Sequence, residues 1–277
     1  MLRLMDIKLV ESMAQLAEIP EGKTLINTIN AYSYNMAQKD EAFAEALKNG
    51  DYLIPDGMPI VKYCKWLKAK SRPKERIAGW DLFSFEMQKT YQASLKEASL
   101  NHESSMVSSK IKDQRSNLKP ETLNLEPTVA IRPTVMFMGS SEKVLALIKA
   151  RAEREYPNLE IVTYSPPYKP VFDEDDNKAI IKAINDANPD LLWIGMTAPK
   201  QEKWAYEHWD ELNIHCHVGT IGAVFDFFAG TAERAPEIWQ KNGFEWLYRL
   251  IKEPRRMWRR YILGNPEFFF RMLKEKF

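Results

Sequence analysis

Two spacings of apolar and polar positions alternate along most of this chain. Short apolar runs read as strands: TLINTI (24–29), YLIP (52–55), TVMFMG (134–139), LEIVTY (159–164), DLLWIG (190–195) and IHCHVG (214–219). Between them, 35–48, 58–69, 141–155, 176–187 and 200–211 carry helical spacing. Strands alternating with helices across short turns predict an α/β fold, a Rossmann-like and mostly parallel sheet flanked by helices. Ligands of such sheets lie at the carboxyl ends of the strands, so the residue after each strand is where chemistry is sought. Residues 95–131 break the rhythm. They are polar, Ser-rich and weakly periodic, and they read as an irregular surface insertion.

The pattern changes again in the last thirty residues. Pro254 should open a helix. Helical spacing then sets Arg255, Arg256, Arg259 and Arg260 against Met257, Trp258, Tyr261 and Ile262. Charge sharpens this. Nine Lys/Arg face four Asp/Glu between Glu245 and Phe277, against 30 and 34 in the other 244 residues, and eight of the 32 aromatics lie there too. A basic helix with interfacial aromatics suits an anionic membrane surface. A helix packed on the core with a solvated basic face fits the pattern equally. Nucleic acid is disfavoured, because the rest of the chain is net acidic. No run reaches the ~18 apolar residues of a membrane span. The N-terminus is a poor signal peptide, and two cysteines, Cys64 and Cys216, fit a reducing cytosol. The expectation is an α/β core (1–243) with a helical membrane-associating appendage (244–277), cytoplasmic and peripheral at the membrane's inner face.

Candidate chemistry follows the strands. Pro55-Asp56-Gly57 places a carboxylate where it could act as a general base, or serve as a turn or cap. Thr28 and Asn30 could cap the next helix or hold a sugar or phosphate. Arg76 could grip a pyrophosphate through two parallel hydrogen bonds. Gly139-Ser140-Ser141 offers N–H groups and hydroxyls at a helix start, for a phosphate or for capping. After Gly195, Met196-Thr197-Ala198-Pro199-Lys200-Gln201-Glu202 puts Lys200 and Gln201 beside the positive end of a helix. Asp173-Glu174-Asp175 is a formal DxD, but acids at a helix start suit the helix dipole. His215 and His217 alternate without a third ligand, too few for zinc. No obligatory metal is expected. The absence of GxGxxG argues against a dinucleotide-dependent oxidoreductase.

Taken in order, TIN, PDG, RIAGWD, APKQE, FDFFAGT, RAP, EWLYRL, EPRR and RRY resemble the WecG/TagA/CpsF family of bacterial glycosyltransferases, from about Lys23 to Phe269 outside the insertion. The resemblance implies an inverting enzyme that moves a sugar from a UDP-sugar to a polyprenyl-pyrophosphate-linked sugar in cell-surface polysaccharide synthesis. The sugar would be N-acetylmannosamine, its uronic acid or a related hexose such as glucose. Asp56 would be the base, with Thr28, Arg76 and Gln201 as catalytic partners. Asn30, Gly57, Gly139, Ser140, Gly195, Lys200 and Asp226 would line the substrate site, and Arg249, Arg256 and Arg260 would meet the lipid pyrophosphate or the membrane. Ser140 and Thr197 stand where the family usually has Gly. A non-catalytic binder of lipid-linked glycans or nucleotides would use the same cleft. A homo-oligomer is compatible with this reading.

Overall fold

The computed structural model describes residues 2–114, 132–241 and 243–277, apart from the side chains of 101–114, Lys241 and Arg256. The chain runs α1 (Met13–Ala17), β1 (Thr24–Ile29), α2 (Ala31–Ala37), α3 (Glu41–Asn49), β2 (Tyr52–Pro55), α4 (Met58–Leu67), α5 (Gly79–Gln114), β3 (Thr134–Gly139), α6 (Glu142–Glu155) and β4 (Glu160–Tyr164). It continues through α7 (Glu174–Ala187), β5 (Leu191–Gly195), α8 (Lys200–Glu207), β6 (His217–Thr220), α9 (Gly222–Ala229), α10 (Glu237–Lys241), α11 (Glu245–Lys252), α12 (Pro254–Trp258), a wide π turn (Arg259–Leu263) and α13 (Gly264–Lys276).

The six strands form one parallel sheet in the order β2-β1-β6-β5-β3-β4. Crossings toward β2 place α2, α3, α7 and α8 on one face. Crossings toward β4 place α5 and α6 on the other, as right-handed connections require. The strands are apolar on both sides, the mark of a parallel sheet covered by helices. Val135, Phe137, Leu191 and Trp193 pack toward α5, α6 and α9. Their neighbours Met136, Met138, Leu192 and Ile194 pack toward α7 and α8. The chain leaves β1 and β6, and likewise β3 and β5, toward opposite faces. Those divergences open a crevice at the carboxyl edge.

Most expected elements form where the spacing put them, with four differences. The helix expected over 35–48 is two helices, because the Asp40 side chain accepts from the Phe43 N–H and starts α3 afresh. The helix expected over 200–211 ends at Glu207 and gives way to a short 3₁₀ turn. The last strand begins at His217 rather than 214. Residues 95–114 continue α5 rather than forming an irregular insertion. That stretch holds neither Gly nor Pro, and its Lys, Glu, Ala, Leu and Met favour helix even without an apolar stripe. Thr90, Ser94 and Ser99 return their hydroxyls to carbonyls one turn back, so they need no tertiary partner. The remainder of the insertion, 115–131, lies outside the described residues.

Pro254 opens α12 as expected. The two faces assigned to 255–262 do not hold. Met257 is buried, Trp258 and Ile262 are exposed beside Arg259, and Arg260 turns inward. The π turn winds more widely than an α-helix, so α-helical spacing misplaces these side chains. Beyond it, α13 packs on α2 and α4. Phe268 sits edge-on to Tyr34 and Tyr63, each at 5.3 Å, and Phe268 and Met272 belong to the buried cluster that includes α2, α3 and α4. The last helix is thus built into the core layer. No helix among the described residues is long and apolar enough to cross a membrane.

Candidate active site

The carboxyl ends of β1 and β2 carry the charged part of the crevice. Thr28 pairs with Ile54 in the ladder and shares the sheet face of Ile26. The Asp56 N–H donates to the carbonyls of Ile29 (2.8 Å) and Ile54 (3.1 Å), which pins Asp56 between the two strand ends. Gly57 follows with φ +147°, a conformation Gly tolerates and side-chain-bearing residues rarely adopt, and it is Gly57 that precedes α4. The Asp56 side chain therefore caps nothing there. Asn30, by contrast, accepts from Tyr32 and Ser33 and forms a capping box with Ser33, so its side chain serves α2.

Arg76 is brought in by its loop, whose Ile77 N–H donates to the Pro55 carbonyl at 3.1 Å. Its Nη1 meets the Glu245 carboxylate of α11 at 2.6 Å, with the two side chains only 16% and 21% exposed. Asp81 accepts from the Ala78 N–H and pairs with Arg234 at 3.5 Å. Arg260 lies over the Tyr32 ring at 4.8 Å, and its Nε is buried with no hydrogen-bond partner among the described residues. Burial, reinforced by the Glu245 charge, pushes the half-buried Asp56 carboxyl up to about 6, against the pull of Arg76 and Arg260. Burial is the largest single influence on Arg76 and works against its charged form, but the Glu245 hydrogen bond and the charges of Glu245, Asp56 and Asp81 together raise the guanidinium's pKa. A carboxylate poised near neutrality can accept a proton from a bound hydroxyl.

Three of these contacts join blocks that are far apart in sequence. RIAGWD meets EWLYRL through Arg76–Glu245 and RAP through Asp81–Arg234, and PDG lies against TIN. Glu245, Asp81, Arg234 and Tyr32 were not singled out by sequence reasoning. The first three lie within the blocks EWLYRL, RIAGWD and RAP, so membership of those blocks was the available signal.

The β3, β5 and β6 ends are built differently. Gly139 and Gly195 allow close approach: a Cβ on Gly139 would lie 2.4 Å from the Gly195 carbonyl oxygen, and one on Gly195 would lie 2.4 Å from the Phe225 ring. Ser140 takes φ +55° and gives its carbonyl to the Ser165 hydroxyl, while Ser141 caps α6. Lys200 is held over the Phe172 ring and donates to the Lys169 carbonyl. Gln201, expected at the substrate, is turned inward. Its Oε1 accepts from the N–H groups of Met196 and Gly222, both at 3.1 Å, and its Nε2 donates to Glu202. Glu202 is buried, its Oε2 has no hydrogen-bond partner among the described residues, and burial pushes its carboxyl up to about 7. Asp226 gives its backbone carbonyl to Thr231 and Ala232 at the end of α9, and Arg249 rests 5.6 Å over Phe227. The side chain of Arg256 lies outside the described residues.

Asp173 and His217, both weighed as metal ligands, have protein partners. Asp173 and Asp176 form the capping box of α7 and share Lys169, each at 2.7 Å. His215 is exposed ahead of the strand, whereas His217 is buried between Glu86 and the Pro20 carbonyl, so the two do not share a face. Among the described residues no group of three or more His, Cys, Asp or Glu could hold a metal ion.

The family profile described as "Glycosyl transferase WecG/TagA/CpsF family" matches residues 2–109 and 116–277. The chain belongs to this family. It is a glycosyltransferase. Among its relatives, a protein of Bacillus subtilis (strain 168) is 27% identical over 252 residues, covering 91% of this chain and 80% of the relative. One of Staphylococcus aureus (strain MW2) is 24% identical over 251 residues, with the same coverage. Both are named N-acetylglucosaminyldiphosphoundecaprenol N-acetyl-beta-D-mannosaminyltransferase.

Proposed function

We propose that this glycosyltransferase moves N-acetylmannosamine, or a closely related hexose, from a UDP-sugar to the sugar of a polyprenyl-diphosphate-linked acceptor during cell-envelope polysaccharide synthesis. The observation that carries the proposal is Asp56, pinned at the carboxyl edge of the sheet by the Ile29 and Ile54 carbonyls, with its pKa pushed up to about 6 and within the electrostatic reach of Arg76 and Arg260. Asp56 takes the proton of the acceptor hydroxyl. The freed oxygen attacks the anomeric carbon from the face opposite the leaving group. The new C–O bond forms as the bond to the diphosphate breaks, and configuration inverts. The two guanidiniums stabilise the charge that develops on the departing diphosphate. Both relatives' names specify an N-acetylmannosaminyl group and a diphosphoundecaprenol acceptor, which supports the sugar and the lipid class.

The tail supports a peripheral position at the membrane. Ile251, Trp258, Ile262, Leu263 and Phe270 are exposed along with Lys252, Arg255 and Arg259. Apolar side chains interleaved with cations suit a headgroup layer. The test is UDP release from a panel of UDP-sugars with a polyprenyl-diphosphate-GlcNAc acceptor. Acceptor-dependent release with UDP-N-acetylmannosamine, abolished in Asp56→Asn, is expected. Release that survives Asp56→Asn would remove the base from the mechanism.

A further inference from the structure

We infer that Glu245 is a place-holder for the substrate's diphosphate: its carboxylate occupies the Arg76 guanidinium that an incoming diphosphate takes over, so docking of α11 and binding of the anion compete. The inference rests on the reading that Arg76 serves a diphosphate. Glu245 sits in the first turn of α11, on the far side of the chain from Arg76, and it reaches the guanidinium at 2.6 Å. The pair is largely enclosed, so water and salt screen it little. A guanidinium fork matches carboxylate and phosphate alike, and one fork cannot give its best geometry to both at once.

The local charge balance points the same way. Asp56 faces Glu245 from α11, Arg76 from the loop before α5, Arg260 from the π turn and Asp81 from α5. Asp81 is matched by Arg234. With its acids ionised, the site sets three carboxylates against three guanidiniums and is neutral. A diphosphate entering beside all three carboxylates would find no net attraction and would add like charge next to Asp56. When Glu245 leaves Arg76, the site becomes cationic and the anion takes its place. The carboxylate thus supplies in this structure the charge that the diphosphate supplies in the complex.

The experiment is calorimetric titration of inorganic pyrophosphate, and separately UDP, into the full chain and its variants. Where the competent form is about a tenth of the population, apparent affinity is about tenfold below intrinsic affinity. Glu245→Gln is therefore expected to bind both probes about tenfold more tightly than the wild type. Arg76→Gln should bind weakly, and the double variant should match Arg76→Gln, since the gain passes through Arg76. Glu245→Asp keeps the charge and should stay near wild type, which separates charge from loss of packing. Unchanged or weaker binding by Glu245→Gln, with binding still dependent on Arg76, overturns the place-holder alone. A gain in Glu245→Asp as large as in Glu245→Gln also overturns it. Undiminished binding by Arg76→Gln overturns both the place-holder and the assignment of Arg76 to a diphosphate.

Discussion

The two ends of the same crevice are made of similar residue types and do opposite things with them. At β1 and β2 the charged side chains interact with one another: Asp56, Arg76, Glu245 and Arg260 come from four separate segments. At β3, β5 and β6 the polar side chains are consumed by the fold. Gln201 ties the Met196 and Gly222 amides together, Ser141 caps a helix, and Lys200 is lodged on Phe172. The difference teaches that a polar residue at a strand's carboxyl end is a candidate for chemistry only if the backbone around it already has its hydrogen bonds from elsewhere. Asp56 meets that condition because Gly57 and the strand carbonyls settle the local backbone. Gln201 does not, because two main-chain N–H groups depend on it.

The largest effect expected from this contrast is at Asp56. Asp56→Asn preserves shape and removes the base, and steady-state turnover should fall by about 10³-fold with donor binding retained. The pH profile should carry the same signature. Because the Asp56 carboxyl ionises at about 6, kcat/KM should rise tenfold per pH unit below that point and level off above it. A profile flat down to pH 4.5 would contradict the role. Arg76→Gln comes next, with a loss of about 100-fold in kcat/KM, measured with saturating acceptor. In the other half the readout changes from rate to stability. Gln201→Ala strands two backbone donors and the Glu202 carboxyl, and should cost about 2 kcal/mol in chemical denaturation. A variant as stable as wild type but inactive would return Gln201 to the chemistry and erase the contrast. The smallest effect is at the tail. Arg255→Glu should weaken co-sedimentation with anionic vesicles by about fivefold or more and leave turnover of a soluble acceptor analogue unchanged.

The fold was legible because both spacings are strong: every strand was anticipated within three residues, and parallel order followed from the helices between. Helix breaks were less legible, since Asp40 acts through a side-chain cap that spacing ignores. The α5 extension was missed because a helix of good formers needs no apolar stripe. In the site, PDG was readable from a Gly whose backbone conformation the turn requires. The Arg76–Glu245 and Asp81–Arg234 pairs were not, because their partners lie more than 150 residues apart and only the closed sheet brings them together. The π turn explains the tail: it rotates Arg260 inward, a shift no α-helical projection contains.

The burial of Asp56 reaches beyond its chemistry. Its carboxyl has an ordinary pKa of 3.8 and one of about 6 in the folded chain. Below 3.8 folded and unfolded chains both hold the proton. Between the two values the folded chain holds it and the unfolded chain releases it, so stability declines as pH rises through that interval. At this one group, therefore, the ionised form that performs catalysis is the less stable of the two, opposite in sign to carboxylates such as Asp40 and Glu267, whose pKa values are lowered and which stabilise the fold when ionised. An anionic ligand cannot relieve that cost at Asp56 directly, but it can tighten the surrounding cations, so substrate would act on this protein as a stabiliser as well as a reactant.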